Sequence, residues 1–305
     1  SGNWDVYLQK LGETKAVNLT QTSAFDDMQG VFSPDGKQIA FRSERDGGGI
    51  FLMSLNGESV KRLSEFGFTP SWSPDGSELV VSTDNVIENV RGYFGELWVI
   101  NALTGTRRLI TKVDGDSPNW SPNGHRIAFS GMSENSNIDI KTVSAQGGEP
   151  VPLMDDDYVD KNPFWSNDGK FLYFFSDRGG NMNLWRVAID EKTGKVLGTP
   201  LPQTLPANDT NYGGNSYDGK GFIYNQNVRY SNFFKADFDA ESEIIDKNAV
   251  EITRGSKITT NPNVSDDNKL ITFDSFGDKQ EDIFVADSDG GNIKQLTNDI
   301  EKDRT

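Results

Sequence analysis

The chain has 305 residues, of which 46 are acidic and 30 basic, so its formal net charge is −16 at pH 7. This balance argues against nucleic acid as a partner, because such binding depends on neutralising phosphates with Lys and Arg. The chain contains no cysteine, which excludes disulfides and thiol chemistry. No apolar run approaches the roughly 20 residues that a membrane-spanning helix requires. Its 31 glycines suit an all-β fold that is dense in turns.

A short sequence phrase occurs six times and organises the whole chain. In its fullest form it reads Trp72-Ser-Pro-Asp-Gly76, and the apolar run Leu79-Val-Val81 follows it. The copies are located by their serines, which lie 40 to 50 residues apart: Ser33, Ser73, Ser121, Ser166, Ser216 and Ser265. A period of this length indicates a repeat architecture.

Each copy of the phrase predicts a hairpin. Proline presets φ at about −65° for a turn, aspartate can bond its own backbone, and glycine accepts positive φ. The apolar run after the turn predicts a buried strand. The residues just before an upstream proline are expected to be extended, because proline disfavours helix at the preceding position. These residues are Thr69, Ser117, Asn162 and Asn261.

Two further strands are predicted after each hairpin. Third strands are predicted at residues 50–53, 97–100, 138–140, 184–187, 233–236 and 283–286. A glycine turn then leads to a fourth strand, as at residues 60–63, 107–111 and 293–297. Four antiparallel strands in a period of about 40–50 residues predict the blade of a β-propeller.

We therefore expect one all-β domain over residues 1–305, a β-propeller with six complete blades and a half blade. The complete blades are predicted at residues 21–64, 65–111, 112–154, 155–204, 205–253 and 254–297. Residues 1–20 form the half blade, with strands at 6–8 and 16–20, and residues 298–305 match the start of a further inner strand.

Seven blades are favoured over six, because a propeller closes by completing one blade with strands from both chain ends. The chain is then a segment of a longer polypeptide, or its seventh blade is half built. In a third alternative another chain completes the half blade, which would give a homo-oligomer.

The phrase Pro-x-Trp-Ser-Pro-Asp-Gly-x-x-Ile-Ala-Phe resembles the TolB-like, WD-type propeller repeat of bacteria. The resemblance extends to the turns Ser43-Glu-Arg45 and Ser176-Asp-Arg-Gly179, and it spans the whole chain. The opening Asn3-Trp-Asp-Val-Tyr-Leu8 and the junction at residues 63–72 also resemble propellers of bacterial receptor Ser/Thr kinases and winged-helix regulators. That likeness implies a sensor or docking module. The kinase signatures do not occur in this sequence.

Side chains suited to catalysis are sparse. The one histidine, His125, follows a turn, where we expect a solvated residue. Without a second histidine or any cysteine, Ser-His-Asp, Cys-His and typical zinc sites are largely excluded. We predict no catalytic residue, no metal ligand and no cofactor. Two acidic segments have calcium binding as an alternative interpretation. We expect Asp287-Ser-Asp-Gly290 to be a β-turn and the acidic loop 155–160 to be solvated.

The linkers that enter the inner strands predict a binding surface, because in a propeller they gather at one face around the central channel. An acidic channel mouth with aromatic edges is suited to a basic peptide or a polyhydroxylated ligand. The alternative is that its residues merely cap the blades. They are Asp27, Phe66, Tyr93, Phe94, Asp116, Tyr158, Asp160, Lys161, Tyr212 and Asp303. Trp72, Trp120 and Trp165 recur once per blade, so we expect them to be structural.

The sequence favours a non-enzymatic ligand- or protein-binding propeller, a sensor or scaffold in a larger bacterial protein. We expect it in the periplasm or outside the cell. The expected partner is a protein or peptide, with a glycan as a further option, and nucleic acid is not expected. We expect no membrane span in this chain. The alternatives are a substrate-gating propeller of a peptidase or polysaccharide lyase, and a self-assembling extracellular structural protein.

Overall fold

Antiparallel strands dominate the computed structural model of this chain. It describes residues 2–83, 95–133, 137–154, 156–180, 182–203, 210, 212–215, 221–225, 231–239, 241, 243–245, 248–253, 258–276 and 281–297. The chain divides into two compact units, Ser1–Gln226 and Asn227–Thr305. Within the described residues, no helix has the length and apolar character needed to cross a membrane.

The first unit contains the strands β1 to β19 and a 3₁₀ helix at Arg45–Gly47. The strands are β1 (Tyr7–Leu8), β2 (Val17–Asn18), β3 (Asp27–Phe32), β4 (Gln38–Ser43), β5 (Gly49–Ser54), β6 (Lys61–Arg62), β7 (Phe68–Trp72), β8 (Glu78–Ser82), β9 (Gly95–Asn101), β10 (Arg107–Trp120), β11 (Arg126–Met132), β12 (Ile138–Ser144), β13 (Val151–Pro152), β14 (Asp160–Trp165), β15 (Phe171–Ser176), β16 (Asn183–Ala188), β17 (Leu201–Pro202), β18 (Gly213–Asn215) and β19 (Phe222–Tyr224).

Strands that follow one another in sequence pair in the same order. The strands β3 to β6 form one four-stranded sheet, β14 to β17 form another, and β7 to β13 form a seven-stranded sheet. The predicted third strands in this unit are confirmed as β5, β9, β12 and β16. In the half blade, β1 pairs with β2, and Val6 and Leu19 pack with Ile39, Phe41 and Phe51 of the first four-stranded sheet.

The seven-stranded sheet arises because the 14-residue strand β10 serves two sets of strands. From Arg107 to Gly115 it pairs with β9, and from Asp116 to Trp120 it pairs with β11. The sequence predicts two separate strands here. The joined strand passes close to two side chains at Gly115, where a Cβ would lie 2.9 Å from Leu97 Cγ and 3.0 Å from Phe129 Cδ2. The extended backbone therefore passes between these side chains without turning.

The second unit contains the strands β20 to β27. They are β20 (Phe234–Lys235), β21 (Phe238–Asp239), β22 (Ile244–Ile245), β23 (Val250–Glu251), β24 (Ile258–Val264), β25 (Leu270–Phe276), β26 (Glu281–Asp287) and β27 (Lys294–Gln295). The strands β24 to β27 form a four-stranded sheet, while β20 pairs with β23 and β21 with β22. The division between the units falls inside the predicted fifth blade, and the blade boundaries and blade count stay predictions.

The predicted turn chemistry is confirmed. Ser73 Oγ donates to Asp75 Oδ1 at 2.6 Å and accepts from the backbone N–H of Glu78 at 3.0 Å. Hydrogen bonds from Ser73 and from the backbone of Ser77 lower the pKa of Asp75, and Gly76 has a φ of 72°. The same pair of serine hydrogen bonds recurs at Ser33, Ser166 and Ser265.

The repeated tryptophans are structural, as predicted. Trp72, Trp120 and Trp165 are each buried, with at most 9% exposure. Trp120 packs in one cluster with Val80 of β8 and Phe129 of β11, so it joins side chains from successive strand sets. Burying such a ring removes a large apolar area from water and stabilises the contact between neighbouring sheets.

Candidate functional site

A bulge with an unusual backbone conformation occurs in each long inner strand of the first unit. The residues at the bulges have left-handed φ values: Gln29 (56°), Thr69 (46°), Ser117 (50°) and Asn162 (52°). Each lies at a shift in strand register. The expectation that pre-proline residues are extended is therefore wrong at Thr69, Ser117 and Asn162. It is also wrong at Asn261 of the second unit, which has a φ of 53° and lies at a shift in strand register. In the G1 type of bulge the first residue lies in the left-handed region, and the φ values here match that type. This backbone conformation outweighs the preference before proline.

Hydrogen bonds between successive inner strands hold these bulges. Gln29 Oε1 accepts from the backbone N–H of Thr69 at 2.8 Å. Asn119 Oδ1 accepts from the backbone N–H of Trp165 at 3.0 Å. Ser71 Oγ accepts from the backbone N–H of Trp120 at 3.1 Å. The polar side chains of one strand thus fix the backbone of the next.

These inner strands enclose a cavity of about 1090 Å³, which we call the inner-strand cavity. It extends along the inner strands from the bulges to the prolines of the turns. The length of this path is about 16 Å, because five residues separate Gln29 from Pro34 and a strand rises about 3.3 Å per residue. Its lining is formed by Trp4, Met28, Gln29, Gly30, Val31, Phe32, Pro34, Thr69, Pro70, Ser71, Trp72, Pro74, Ser117, Pro118, Asn119, Trp120, Ser121, Pro122, Asn162, Pro163, Phe164, Asn167, Tyr212 and Gly213.

The described lining carries no formal charge. None of its 24 residues is Asp, Glu, Lys, Arg or His, although 25% of the chain is charged and a random set of this size would contain about six such residues. Tyr212 is its one phenol among the described residues. Desolvation and the neighbouring Asp116 carboxylate raise the pKa of Tyr212, so this phenol stays neutral. The cavity therefore offers amides, hydroxyls and aromatic rings.

Trp120 differs from its counterparts in one respect. The indole N–H of Trp72 donates to the carbonyl oxygen of Val31 at 3.4 Å, and that of Trp165 donates to the carbonyl oxygen of Asn119 at 3.2 Å. Trp120 lines the inner-strand cavity and is 8% exposed, and within the described part of the chain its Nε1 has no hydrogen-bond partner. A buried donor without a partner costs free energy unless a ligand or water accepts from it.

Two of the predicted acidic residues do not form an open surface. Asp27 and Asp160 are both 0% exposed. Asp27 accepts two hydrogen bonds from Arg45 Nη2, at 2.8 and 2.7 Å, and Asp160 accepts one from Arg178 Nη2 at 2.6 Å. The expectation of an acidic funnel is thus corrected at these positions. The carboxylates hold the arginines of the Ser-Glu-Arg and Ser-Asp-Arg turns.

Of the other predicted site residues in the described part of the chain, one lines the cavity and one contacts a lining residue. Tyr212 lines it. Asp116 is 8% exposed and accepts from Thr69 Oγ1 at 3.4 Å, directly beside the lining. Phe66 packs edge-on against Trp98, with 6.0 Å between ring centroids.

Tyr158 is 45% exposed, and the Arg178 guanidinium lies 5.2 Å from its ring centroid. Lys161 precedes the bulge at Asn162 and is partly exposed. Tyr93, Phe94 and Asp303 lie outside the described residues.

The histidine and the turn considered for calcium binding lie at the surface in turns. His125 is exposed, as expected. Asp287 accepts from the backbone N–H of Gly290 at 2.8 Å, which is the predicted β-turn. Across the described residues, no group of three or more His, Cys, Asp or Glu side chains could hold a metal ion. The calcium alternative stays untested.

Sequence reasoning missed Gln29, Asn119 and the unpaired Trp120 as lining residues. A signal was present, because small polar residues recur just before and after the proline in successive copies of the phrase. The sequence prediction used linker residues that lie one or two positions before the bulges. Two of these residues, Asp27 and Asp160, are carboxylates that pair with arginines instead of facing the cavity.

A family model described as the TolB beta propeller domain matches residues 69–245. The chain therefore belongs to the TolB β-propeller domain family. This result confirms the predicted resemblance and the propeller fold class. The further likeness to kinase sensor propellers stays a prediction.

Among curated proteins, this TolB-family chain is 28% identical over 190 residues to an uncharacterized protein of Agrobacterium fabrum, covering 58% of this chain and 62% of that protein. It is 28% identical over 213 residues to the Tol-Pal system protein TolB of Francisella tularensis, covering 67% of this chain and 44% of that protein. The chain thus spans less than two thirds of the length of either relative.

Among solved structures, TolB from Acinetobacter baumannii superposes with a TM-score of 0.52 at 21% identity, over 84% of this chain and 62% of that one. An oligogalacturonate lyase of Vibrio parahaemolyticus superposes with a TM-score of 0.51 at 14% identity, over 95% of this chain and 84% of that one. A puromycin-hydrolyzing peptidase of Mycobacterium tuberculosis superposes with a TM-score of 0.51 at 15% identity, over 96% of this chain and 40% of that one. At these identities the likeness is one of fold alone.

Proposed function

We propose that this TolB-family propeller is a non-catalytic binding module that holds its ligand in the inner-strand cavity. In this proposal it serves as the sensor or scaffold part of a larger bacterial protein in the periplasm or outside the cell. The binding role is supported by membership of the TolB β-propeller family. The observation that carries the proposal is the lining itself, which combines polar groups with aromatic rings and has no formal charge among its described residues.

The chemistry of the lining supports binding without catalysis. General acid–base catalysis is most efficient when the pKa of the catalytic group lies near the working pH. Tyr212 is the titratable group among the described lining residues, and its pKa is raised further from neutrality. Concave sites with aromatic walls and a few oriented polar groups are typical of ligand-binding pockets.

Calorimetric titration of the purified chain, followed by mass spectrometry of each ligand after prolonged incubation, tests this function. The panel consists of neutral oligosaccharides, acidic oligosaccharides, uncharged peptides and basic peptides. We expect saturable binding of at least one class and recovery of that ligand with unchanged mass. Absence of binding across the panel, or protein-dependent products, would contradict the proposal.

A substrate-gating propeller of a peptidase or polysaccharide lyase is the second candidate. The fold likeness to a peptidase and a lyase over 95–96% of this chain favours keeping it. In that case the isolated chain would bind a substrate without converting it, while the full-length protein would release products. Assaying the full-length protein beside the isolated chain therefore separates the two candidates.

A further inference from the structure

We infer that the ligand of the inner-strand cavity is a neutral oligosaccharide. The inference rests on the proposed binding function, and it names the chemical class that this site would select. Three independent properties of the described lining lead to it: its charge, the direction of its hydrogen bonds and its exposed aromatic rings.

The absence of charge in the described lining disfavours ionic ligands. The lining itself offers no opposite charge to an ionic ligand, and burying an unpaired ion is costly. The Asp116 carboxylate beside the lining is 8% exposed and already accepts from Thr69 Oγ1. The net charge of −16 adds a general repulsion against anions such as uronic acid chains. The basic peptide expected from the sequence loses its support as well, because Asp27 and Asp160 are buried against arginines.

The hydrogen bonds between inner strands orient the amides of the cavity. Gln29 Oε1 and Asn119 Oδ1 are both occupied as acceptors of backbone N–H groups, at 2.8 and 3.0 Å. Their NH₂ ends are donors, and donors only. The cavity thus favours a neutral ligand with several oxygen acceptors.

Sugar hydroxyls meet this requirement better than peptide groups do. A hydroxyl can rotate to accept or to donate, whereas a peptide N–H can only donate. Each of the two amide oxygens already accepts one hydrogen bond and keeps one lone pair, so the N–H groups of an inserted peptide would compete for the acceptor positions that remain. An unsatisfied buried N–H would then weaken binding.

Exposed aromatic rings complete the site. Trp4, Phe32 and Tyr212 line the cavity and are 71%, 56% and 58% exposed. Such rings offer flat apolar surface to the C–H faces of a sugar, while the amides and hydroxyls bond its oxygens. A length of about 16 Å along the strands suits a chain of linked rings better than a single small molecule.

Calorimetric titration with short neutral gluco-, galacto-, manno- and xylo-oligosaccharides tests the inference on the wild type and a matched pair of variants. Phe32→Ala removes an exposed ring inside the cavity, and Phe25→Ala removes one that is 51% exposed and does not line it.

We expect at least one neutral oligosaccharide to bind with a stoichiometry near one ligand per chain. Its affinity should fall about tenfold in Phe32→Ala, which corresponds to the loss of one aromatic contact. Affinity should change less than about twofold in Phe25→Ala. Circular dichroism and thermal midpoints confirm that each variant is folded before titration.

Other outcomes overturn the inference in distinguishable ways. Binding of an uncharged peptide alone, or of acidic oligosaccharides alone, would refute the ligand class while the proposed binding function stands. Neutral sugars that bind equally well to Phe32→Ala and the wild type would refute the site. Failure of every class in the panel to bind would refute both the ligand class and the proposed function.

Discussion

Asp139 on β12 provides a direct test of how burial and charge act together in this fold. It is 4% exposed, and its Oδ1 accepts the backbone N–H of Ile140 at 2.6 Å. Desolvation first, and then the neighbouring Asp160 and Asp156 carboxylates, raise the pKa of this carboxyl from 3.8 to about 7 against the opposing effects of the Ile140 backbone N–H and Lys141. Asp139→Asn replaces the group with a neutral amide of the same shape that can still accept from Ile140.

The size of the effect follows from proton linkage. The folded protein retains a proton on Asp139 up to pH of about 7, while the unfolded chain releases it near pH 3.8. Stability therefore falls as pH rises through this interval, and the loss is complete above pH 7. At about 1.36 kcal/mol per pKa unit, the full penalty is about 4 kcal/mol and the part incurred between pH 5 and pH 8 is about 3 kcal/mol.

Urea denaturation of the wild type and of Asp139→Asn at pH 5 and pH 8 measures this difference. We expect the variant to gain about 3 kcal/mol more over the wild type at pH 8 than at pH 5. Asp157→Asn, which removes an exposed carboxyl from the nearby loop, should show no comparable change with pH. An advantage that does not vary with pH, or a variant that is less stable at pH 8, would refute the reasoning.

Three further variants test other features by thermal or urea denaturation. Thr69→Asn should stabilise the protein by about 1 kcal/mol, because asparagine tolerates the left-handed φ of 46° better than a β-branched residue; a destabilised variant would contradict this account of the bulge. Trp120→Phe should be neutral or stabilising, whereas Trp165→Phe should cost about 1 kcal/mol because it removes a formed hydrogen bond; equal effects would refute the distinction. Arg178→Met should cost about 3–5 kcal/mol by leaving the buried carboxylate of Asp160 without its partner; a change below about 1 kcal/mol would contradict that pairing.

The repeating fold could be predicted because its signals are local. The serine, aspartate and glycine of each turn act within a few residues of one another, and the hydrogen bonds at Ser73 and Asp75 are those that the residue types imply. The third strands followed from short apolar runs. The joining of two predicted strands into β10 depends on how Gly115 fits between Leu97 and Phe129, and no local rule reports such a long-range contact.

The candidate site was harder to predict because it depends on the direction in which side chains point. Asp27 and Asp160 occupy equivalent positions in the repeat, and their charge suggested a surface for cations. Whether such a carboxylate faces solvent or an arginine 18 residues later is set by the path of the loop between them. The left-handed bulges shift by one residue which side chains of the inner strands face the cavity. As a result the cavity is lined by the neutral bulge residues and not by Asp27 and Asp160.

The continuous strand β10 has a consequence for the mechanics of the molecule. Elsewhere in the first unit, successive four-stranded sheets meet through side chains, and a linker separates their ladders. Across Gly115 a single extended strand carries both ladders, with β9 paired to its first part and β11 paired to its second. Strands β7 to β13 should therefore open as one cooperative unit in native-state hydrogen exchange. Cutting the chain there for circular permutation should be tolerated less well than cutting it at a solvent-exposed loop.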